Sequence, residues 1–547
     1  MIVAGLTSAS VTRADIYAET YRFMGEPFPG PFTFKYHPWT REMLCCDAED
    51  CVGQKAAQMG YTDSVGMNRT FFTLDQLKRD VLYVLPAKTP DATDFSSGRF
   101  GPALEMSPHL RAIFTNVNNV GLKRAGTNSL YIRGSRSRSA LKSLPVGLII
   151  LDEEDEFDQA AISLVRERIS GQRAGARQIW HISTPSVPDH GINITFKLSD
   201  QRFFVIRCPY CSKYISLTYP DSLVITGDHP TDPKLKNSHY ICTECKKPLP
   251  SHINENGIDL AKVEILQDSK WIPTYPDRNI AGFQINQMYS CTISPYQIAY
   301  HALLAKQDPV EEQEFHNSKM GQTHIVEGAN ISDQEINEVM SNYRMRDQRY
   351  MKGLLTMGID VGKELHISVV HWRFPHRSSI DVNQDAIGSV VWAGIREEFE
   401  EIDDLIYLFK PSMTVIDQMP ETRKSFDLAA RFPGRVKLCH YADSIKARSI
   451  VGDEDIVSVN RTAWFDMVFG RFFKKTISLP VDIPQAFKNH LKNLIRVARK
   501  KKNTDEVYYA YVNTGPDHFG QSINYAEIAL KCAHVGIGNN PLAGRTR

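Results

Sequence analysis

The stretch "LIILDEEDEF", residues 148–157, constrains this chain more than any other part of it. Apolar residues run without interruption into Asp152 and Glu153, which describes a strand buried on both faces that delivers two carboxylates at its C-terminal end. A solvent-facing acidic turn accounts for "EEDEF" but not for the apolar run feeding it. Short runs of the same kind occur in "VLYVLPA" (81–87), "NSLYIRG" (128–134) and "RQIWHIST" (177–184), alternating with helical patterns. Residues 30–200 therefore read as an α/β core around a largely parallel sheet. In such sheets ligands bind beyond the carboxyl ends of the strands, where Asp152 and Glu153 stand.

About 90 residues earlier lies "KAAQMGYT", residues 55–62. A standard phosphate loop, GxxxxGK[ST], cradles phosphates with backbone N–H groups, reaches them with a lysine and holds Mg²⁺ with a hydroxyl. Matching Gly60 and Thr62 to its second glycine and hydroxyl puts Tyr61 where the lysine belongs. Lys55 instead opens the loop, and a loop curled around a phosphate brings its first residue near its last, so Lys55 reaches the same phosphates from the other side. The loop alone also fits a lysine beside an ordinary strand-to-helix turn; paired with the acidic strand end it reads as an ATP site. Lys55, Gln58, Met59, Gly60, Tyr61 and Thr62 are the expected nucleotide-binding residues. Thr62 and Asp152 are expected to hold Mg²⁺, and Glu153 to orient and deprotonate the attacking water. Ser183 and Thr184, before Pro185, fit the turn that senses the γ-phosphate in motor ATPases of the helicase type. An arginine is needed to stabilise charge on the γ-phosphate, and Arg99, Arg133, Arg136, Arg138, Arg166, Arg168 and Arg173 are all available. The aromatic stretch "FKYHPWTREM" precedes the loop and suits either adenine or packing.

At 547 residues the chain is too long for one core. A net charge of +1 carries no global nucleic-acid signature, so DNA contact is expected from local patches such as "RGSRSRSALK" (133–142) and "RVARKKKN" (496–503), runs that are otherwise ordinary solvated faces. No apolar run approaches the roughly 18 residues of a membrane span, and the first residues lack the pattern of a signal peptide. The expectation is a cytoplasmic, reducing setting with no membrane association.

In that setting ten cysteines are not read as disulfides. Four of them form "CPYC" (Cys208, Cys211) and "CTEC" (Cys242, Cys245), and two CxxC knuckles supply the four thiolates of a closed tetrahedral zinc site. Four unrelated buried thiols do not explain two identical spacings. The metal would replace a hydrophobic core that so short a segment cannot build. Cys45, Cys46, Cys51, Cys291, Cys439 and Cys532 read as core or incidental.

A second α/β unit opens at "GLLTMGIDVGKELHISVVHW" (353–372), after the polar segment 327–350. Two strands, a third in "GSVVWAGIREE", the helical "FEEIDDLIYLFK" and a fourth strand "MTVIDQMP" give an antiparallel meander followed by helix and strand, the order of an RNase H-like fold. Asp360 and Asp417 end the first and fourth strands, where two divalent metals (Mg²⁺ or Mn²⁺) could be held for phosphodiester cleavage. Asp517, opening the C-terminal helix beside His518, is the expected third acid, with Asp466, Glu397 and Glu398 in reserve. The expected division is a P-loop ATPase core at 1–204, a zinc-ribbon insertion at 205–250, an ATPase-associated subdomain at 251–326, a linker at 327–352 and an RNase H-like nuclease at 353–547.

The order "PGPFTFKYHPWTREML", "KAAQMGYTD", "VLYVLPAKTPDATDFSSGRF", "SRSALKSLPVGLIILDEEDEF", "WHISTPS" and "RCPYCSKYISL" resembles the large terminase subunit of tailed bacteriophages, lambda type. The resemblance covers most of the chain, and that family is known for a phosphate loop whose lysine stands at its start, as Lys55 does. It implies an ATP-driven motor that packages double-stranded DNA into a procapsid and a nuclease that cuts concatemers. It further implies a small terminase subunit and a portal ring as partners, a homo-oligomeric ring when active, and the host cytoplasm as its location. A "DH" segment closes the nuclease site in the family, which implies the role of Asp517; the further acids that often follow are replaced here by Gln521 and Ser522. Two other readings compete. A repair helicase-nuclease shares both chemistries but needs a second motor lobe, where residues 205–350 offer cysteine pairs and a polar segment. A non-catalytic DNA-binding assembly protein leaves Asp152, Glu153 and Asp360 at apolar strand ends without a reason.

Overall fold

The computed structural model describes residues 11–114, 119–142, 144–157, 159–375, 382–452, 455–500 and 507–538. The chain divides into two compact units, Met1–Val326 and Glu327–Arg547.

The first unit is built on a 10-stranded sheet. Its parallel run follows the order Arg202–Arg207, Ala281–Ile285, Asp50–Lys55, Gln178–Ser183, Leu148–Asp152, Val81–Leu85 and Asn128–Gly134. Leu148–Asp152 and Val81–Leu85 are buried throughout, as uninterrupted apolar runs covered on both faces require. All these strands point the same way, so Lys55, Asp152 and Ser183 end at one edge of the sheet. Antiparallel strands finish the sheet at Leu122–Ala125, Tyr214–Ile215 and Ser269–Pro273.

The expected subdomain at 251–326 is not separate. Ala281–Ile285 pairs directly with the Asp50–Lys55 strand, because its alternating "AGFQI" is buried at four of five positions and belongs in the middle of a sheet. The cysteine segment likewise grows from the sheet: Cys208 follows the last residue of Arg202–Arg207, and Cys208 and Cys242 join the apolar core of the unit.

In the second unit the sheet order is Met340–Ser341, Ile477–Pro480, Ile387–Arg396, Leu365–Arg373, Leu354–Val361, Met413–Asp417, Val436–Tyr441, Ile456–Val459 and Ile450–Gly452. Leu354–Val361, Leu365–Arg373 and Ile387–Arg396 form the antiparallel meander, and Met413–Asp417 returns parallel to the first strand after the helix Glu400–Phe409. The RNase H-like order read from the sequence is the order observed. The helix His518–Gly538 lies directly on the first strand: a Cβ on Gly358 would come within 2.0 Å of the Ser522 carbonyl oxygen. Thr356 donates to the Ala526 carbonyl at 2.8 Å, and the buried Arg471–Glu527 pair holds the helix through two bonds of 2.5 and 2.6 Å.

The polar segment 327–352 is not a linker. Ser332 and Glu335 form a capping box on the helix Asp333–Glu338, and Met340–Ser341 adds a strand beside Ile477–Pro480. Ile331, Ile336, Val339 and Tyr343 are buried, all but Tyr343 within one apolar cluster of the second unit. Among the described residues no helix is long and apolar enough to cross a membrane.

Candidate active sites

The chain leaves the Asp50–Lys55 strand through a loop with left-handed backbone at Gln58 (φ 58) and Gly60 (φ +77), and enters the helical run beginning at Thr62. Lys55 Nζ lies 3.4 Å from Thr184 Oγ1. Burial pushes its ammonium below the ordinary value, while the nearby charges of Asp152 and Glu153 act to hold the proton. Thr62 donates to Asp152 at 3.3 Å and Tyr83 donates to the other carboxylate oxygen at 2.7 Å. Burial raises the Asp152 carboxyl, and Tyr83, Lys55 and Thr62 pull it back. Glu153 is exposed, with φ 64, a left-handed conformation that costs a non-glycine residue about 1–3 kcal/mol and recurs at functional sites. Its N–H bonds the Ile182 carbonyl at 2.8 Å, so the strain is held by the neighbouring strand. Lysine, hydroxyl and two carboxylates from three adjacent strand ends thus meet in the arrangement a nucleotide and its divalent metal require.

Other expected residues divide. Tyr61 is turned inward: its ring covers Gly53, whose Cβ would come within 2.8 Å of it, and its hydroxyl is buried without a hydrogen-bond partner. Tyr61 is a packing residue and does not stand in for a lysine. Met59 is buried and offers its carbonyl to Trp39 Nε1 at 3.0 Å; Gln58 is exposed. Ser183 Oγ accepts from the Asp155 N–H and donates to the Thr184 carbonyl, which fixes the turn and leaves Thr184 as the side chain beside Lys55. Of the arginines, Arg99 stands close enough for its charge to act on Lys55 and Tyr83. Arg133 donates to the carbonyls of Gly121 and Ile132, and Arg166 pairs with Asp50 at 3.0 Å. In the aromatic stretch, Tyr36 stacks on Phe28 at 4.0 Å and His37 packs beside Gly60.

Three supports of this loop had no motif to announce them. Ala56 N–H bonds the Ile285 carbonyl at 2.9 Å, Gln287 donates to the Ala57 carbonyl at 2.9 Å, and Gly321 (φ +61) lies so close that a Cβ would stand 2.6 Å from the Ala56 nitrogen. These braces come from residues more than 220 positions away. Tyr83 was equally silent, one aromatic in an apolar strand.

In the second unit Asp360 and Asp417 end adjacent parallel strands, Ile359 facing Ile416. Asp417 is raised to about 6, first by burial and then by the charge of Asp360. Asp517 opens the C-terminal helix near enough to act on Asp360; Gln521 donates to it at 2.8 Å and Arg461 lies 3.5 Å away. His518 Nδ1 is 2.9 Å from Asp360 Oδ2. Asp360 thus lies within electrostatic reach of both Asp417 and Asp517, with Arg461 beside Asp517, although among the described residues the three carboxylates are not gathered within 4.8 Å of one another as Asp360, His366 and His518 are. The reserve acids lie elsewhere: Asp466 is bound by Arg496 at 2.7 Å and by Tyr511 at 2.9 Å, and Glu397 and Glu398 are exposed around Glu401. Ser522 is buried against Ser368 at 2.6 Å, facing the strand, which explains why no acid stands there. Arg496 belongs to the basic run "RVARKKKN", whose residues 501–503 fall outside the described residues.

The cysteine knuckles are two copies of one turn. Cys208 N–H bonds the Lys213 carbonyl and Cys242 N–H the Lys247 carbonyl, at 2.9 and 3.0 Å, with left-handed Ser212 (φ 58) and Lys246 (φ 60) between. Their four sulfurs lie within 4.8 Å of one another, Cys208 to Cys245 and Cys211 to Cys242 both at 3.8 Å. Four thiols so gathered, with none left over, fit a tetrahedral thiophilic ion.

A parallel-sheet nucleotide site and an RNase H-like acidic centre in one chain define a two-unit enzyme, an ATPase joined to a nuclease. The family model described as "Phage terminase large subunit gpA, ATPase domain" matches residues 27–262, and that described as "Terminase large subunit gpA, endonuclease domain" matches residues 280–387. The chain belongs to this family of phage terminase large subunits, lambda type. Its fold is that of the HK97 bacteriophage large terminase, similar at 10% identity over 94% of this chain and 99% of that one, with a TM-score of 0.52. A large terminase from a thermophilic bacteriophage, solved in complex with ADP, matches at 11% identity over 88% of this chain and 93% of that one, with a TM-score of 0.31. No curated protein matches the chain. The protein is an ATPase and an endonuclease of phage DNA packaging. It works with nucleotide and divalent metal on DNA.

Proposed function

We propose that the residues assembled at the two sheet edges divide the work as follows. Lys55, Gly60 and Thr62 bind the phosphates of ATP, with the loop backbone at Gln58 and Met59 lining it. Thr62 and Asp152 hold Mg²⁺ directly or through water, Tyr83 orients Asp152, and Glu153 takes the proton of the attacking water. Thr184, beside Lys55, reads the γ-phosphate, and the turn at Ser183 transmits its loss; Arg99 is the arginine in place to act on transferred charge. The observation that carries this reading is the meeting of Lys55, from the start of the loop, with Thr184 and the two carboxylates. Lys55→Ala should abolish ATP turnover while Tyr61→Phe leaves it near wild type; the opposite pattern in a phosphate-release assay would return the lysine's role to position 61.

Asp360, Asp417 and Asp517 would hold Mg²⁺ or Mn²⁺, which when bound would supply activation of water and charge stabilisation of the leaving oxygen in phosphodiester cleavage. Cys208, Cys211, Cys242 and Cys245 bind Zn²⁺ as a closed structural site that fixes the segment to the motor core. Metal analysis should return one zinc per chain, lost on Cys242→Ser. The working assembly is a homo-oligomeric ring on the portal of the procapsid in the host cytoplasm, drawing double-stranded DNA presented by the small terminase subunit. The residue ranges 1–326 for the motor with its cysteine segment and 327–547 for the nuclease are the functional domains.

A further inference from the structure

Beside Asp360 the structure holds two nitrogen donors that the three-carboxylate scheme does not use. His366 is the cross-strand partner of Asp360 in the short hairpin formed by Leu354–Val361 and Leu365–Arg373, so both side chains leave the sheet on one face. His366 is 5% exposed, and its Nδ1 is buried without a hydrogen-bond partner. Its ring stacks on His518 at 4.6 Å between centroids, with planes 25° apart, and His518 Nδ1 lies 2.9 Å from Asp360 Oδ2. One ligand atom from each of Asp360, His366 and His518 falls within 4.8 Å of the others.

A buried polar atom without a partner is costly, on the order of 1–3 kcal/mol, and an ion held by the His366 and His518 nitrogens together with the Asp360 carboxylate would give His366 Nδ1 its partner. Ligands on adjacent corners of an octahedron with bonds of about 2.1 Å are about 3 Å apart, the separation His518 and Asp360 already have. Imidazole nitrogen discriminates between ions: Mg²⁺ prefers oxygen and water, whereas first-row transition ions accept nitrogen.

We infer that Asp360, His366 and His518 form a mixed nitrogen and oxygen site for one divalent transition ion, which gives the nuclease centre a preference for such ions over Mg²⁺. Asp417 and Asp517 supply the oxygen-only part of the centre. The inference rests on Asp360 belonging to the nuclease centre.

The test is a titration of the full-length protein with Mn²⁺, read by the loss of the free-ion electron paramagnetic resonance signal, with Mg²⁺ as competitor. Mn²⁺ is the probe because it stands lowest in the transition series, and soft thiolates such as those of the cysteine cluster select other ions. Wild type should hold Mn²⁺ at least about tenfold tighter than Mg²⁺, and His366→Phe, which keeps the stacked ring but removes both nitrogens, should lose about tenfold or more in Mn²⁺ affinity. His518→Asn, on a solvent-accessible position, provides a second reading should His366→Phe fail to fold. Unchanged Mn²⁺ affinity in the folded variant, or no preference in wild type, would overturn the inference. DNA cleavage surviving in Asp360→Asn would instead remove Asp360 from the nuclease centre, a result the Mn²⁺ titration of His366→Phe does not depend on.

Discussion

The motor site and the nuclease centre are both made of carboxylates on strand ends, yet they are assembled differently. In the motor, Asp152 and Glu153 are consecutive residues at one strand end, and the lysine and threonine that answer them sit on the two ends of a single loop. In the nuclease, Asp360, Asp417 and Asp517 come from two strands and a helix spread over more than 150 positions, so the centre exists only while that helix is held on the sheet. The motor site therefore rests on one loop and the neighbouring strand ends of a single sheet, braced by Ile285, Gln287 and Gly321, and the nuclease on the docking of a helix onto its sheet.

Breaking the docking should have the largest effect. Gly358→Val places a side chain where the Ser522 carbonyl oxygen stands, 2.0 Å from the Cβ position, and should abolish DNA cleavage and unfold the second unit, with ATP hydrolysis retained. Cleavage and phosphate-release assays on one preparation check this. Arg471→Met leaves Glu527 buried without its cation and should cost the second unit about 3–5 kcal/mol, read from its denaturant midpoint.

The brace on the loop is tested at Gly321, where Ala both crowds Ala56 and adopts a left-handed backbone. The strain of about 1–3 kcal/mol should appear as a tenfold or greater rise in KM for ATP with cleavage unaffected. A smaller effect comes from pH. Asp417 titrates at about 6 in the folded chain against 3.8 ordinarily, so between those values the folded state keeps a proton that the unfolded state has lost. In metal-free protein its contribution to stability accordingly declines as pH rises from about 4 to about 6, and metal affinity at the nuclease centre should fall about tenfold per pH unit below 6, measured by Mg²⁺ titration. Least affected should be Tyr61→Phe, which removes a buried hydroxyl that bonds nothing; stability and ATP turnover should stay within about 0.5 kcal/mol of wild type.

The same contrast decides what was legible beforehand. Lys55 is legible from the loop that follows its strand, and Asp152 and Glu153 from the apolar run that feeds directly into them. Asp360 and Asp417 showed as acids at the ends of apolar runs, and Asp517 through its place at the head of the last helix. What stayed hidden depends on register or distance. His366 meets Asp360 only through hairpin pairing, and Gly321 and Gln287 brace a loop over 220 residues earlier. The segment 327–352 reads as a linker because its few apolar residues, Ile331, Ile336, Val339 and Tyr343, are too sparse for a periodic pattern, although each is buried. Ser183 reads from the sequence as a nucleotide contact, whereas its hydroxyl bonds within the turn itself, something composition does not distinguish.

The independence of the two centres is tested most directly by measuring ATP hydrolysis and cleavage of plasmid DNA side by side in wild type, Glu153→Gln and Asp360→Asn. Glu153→Gln should lower ATP hydrolysis by about 10²–10⁴-fold and still cut DNA, and Asp360→Asn should lose cleavage and still hydrolyse ATP. ATP hydrolysis at the wild-type rate in Glu153→Gln, or cleavage at the wild-type rate in Asp360→Asn, would contradict the account.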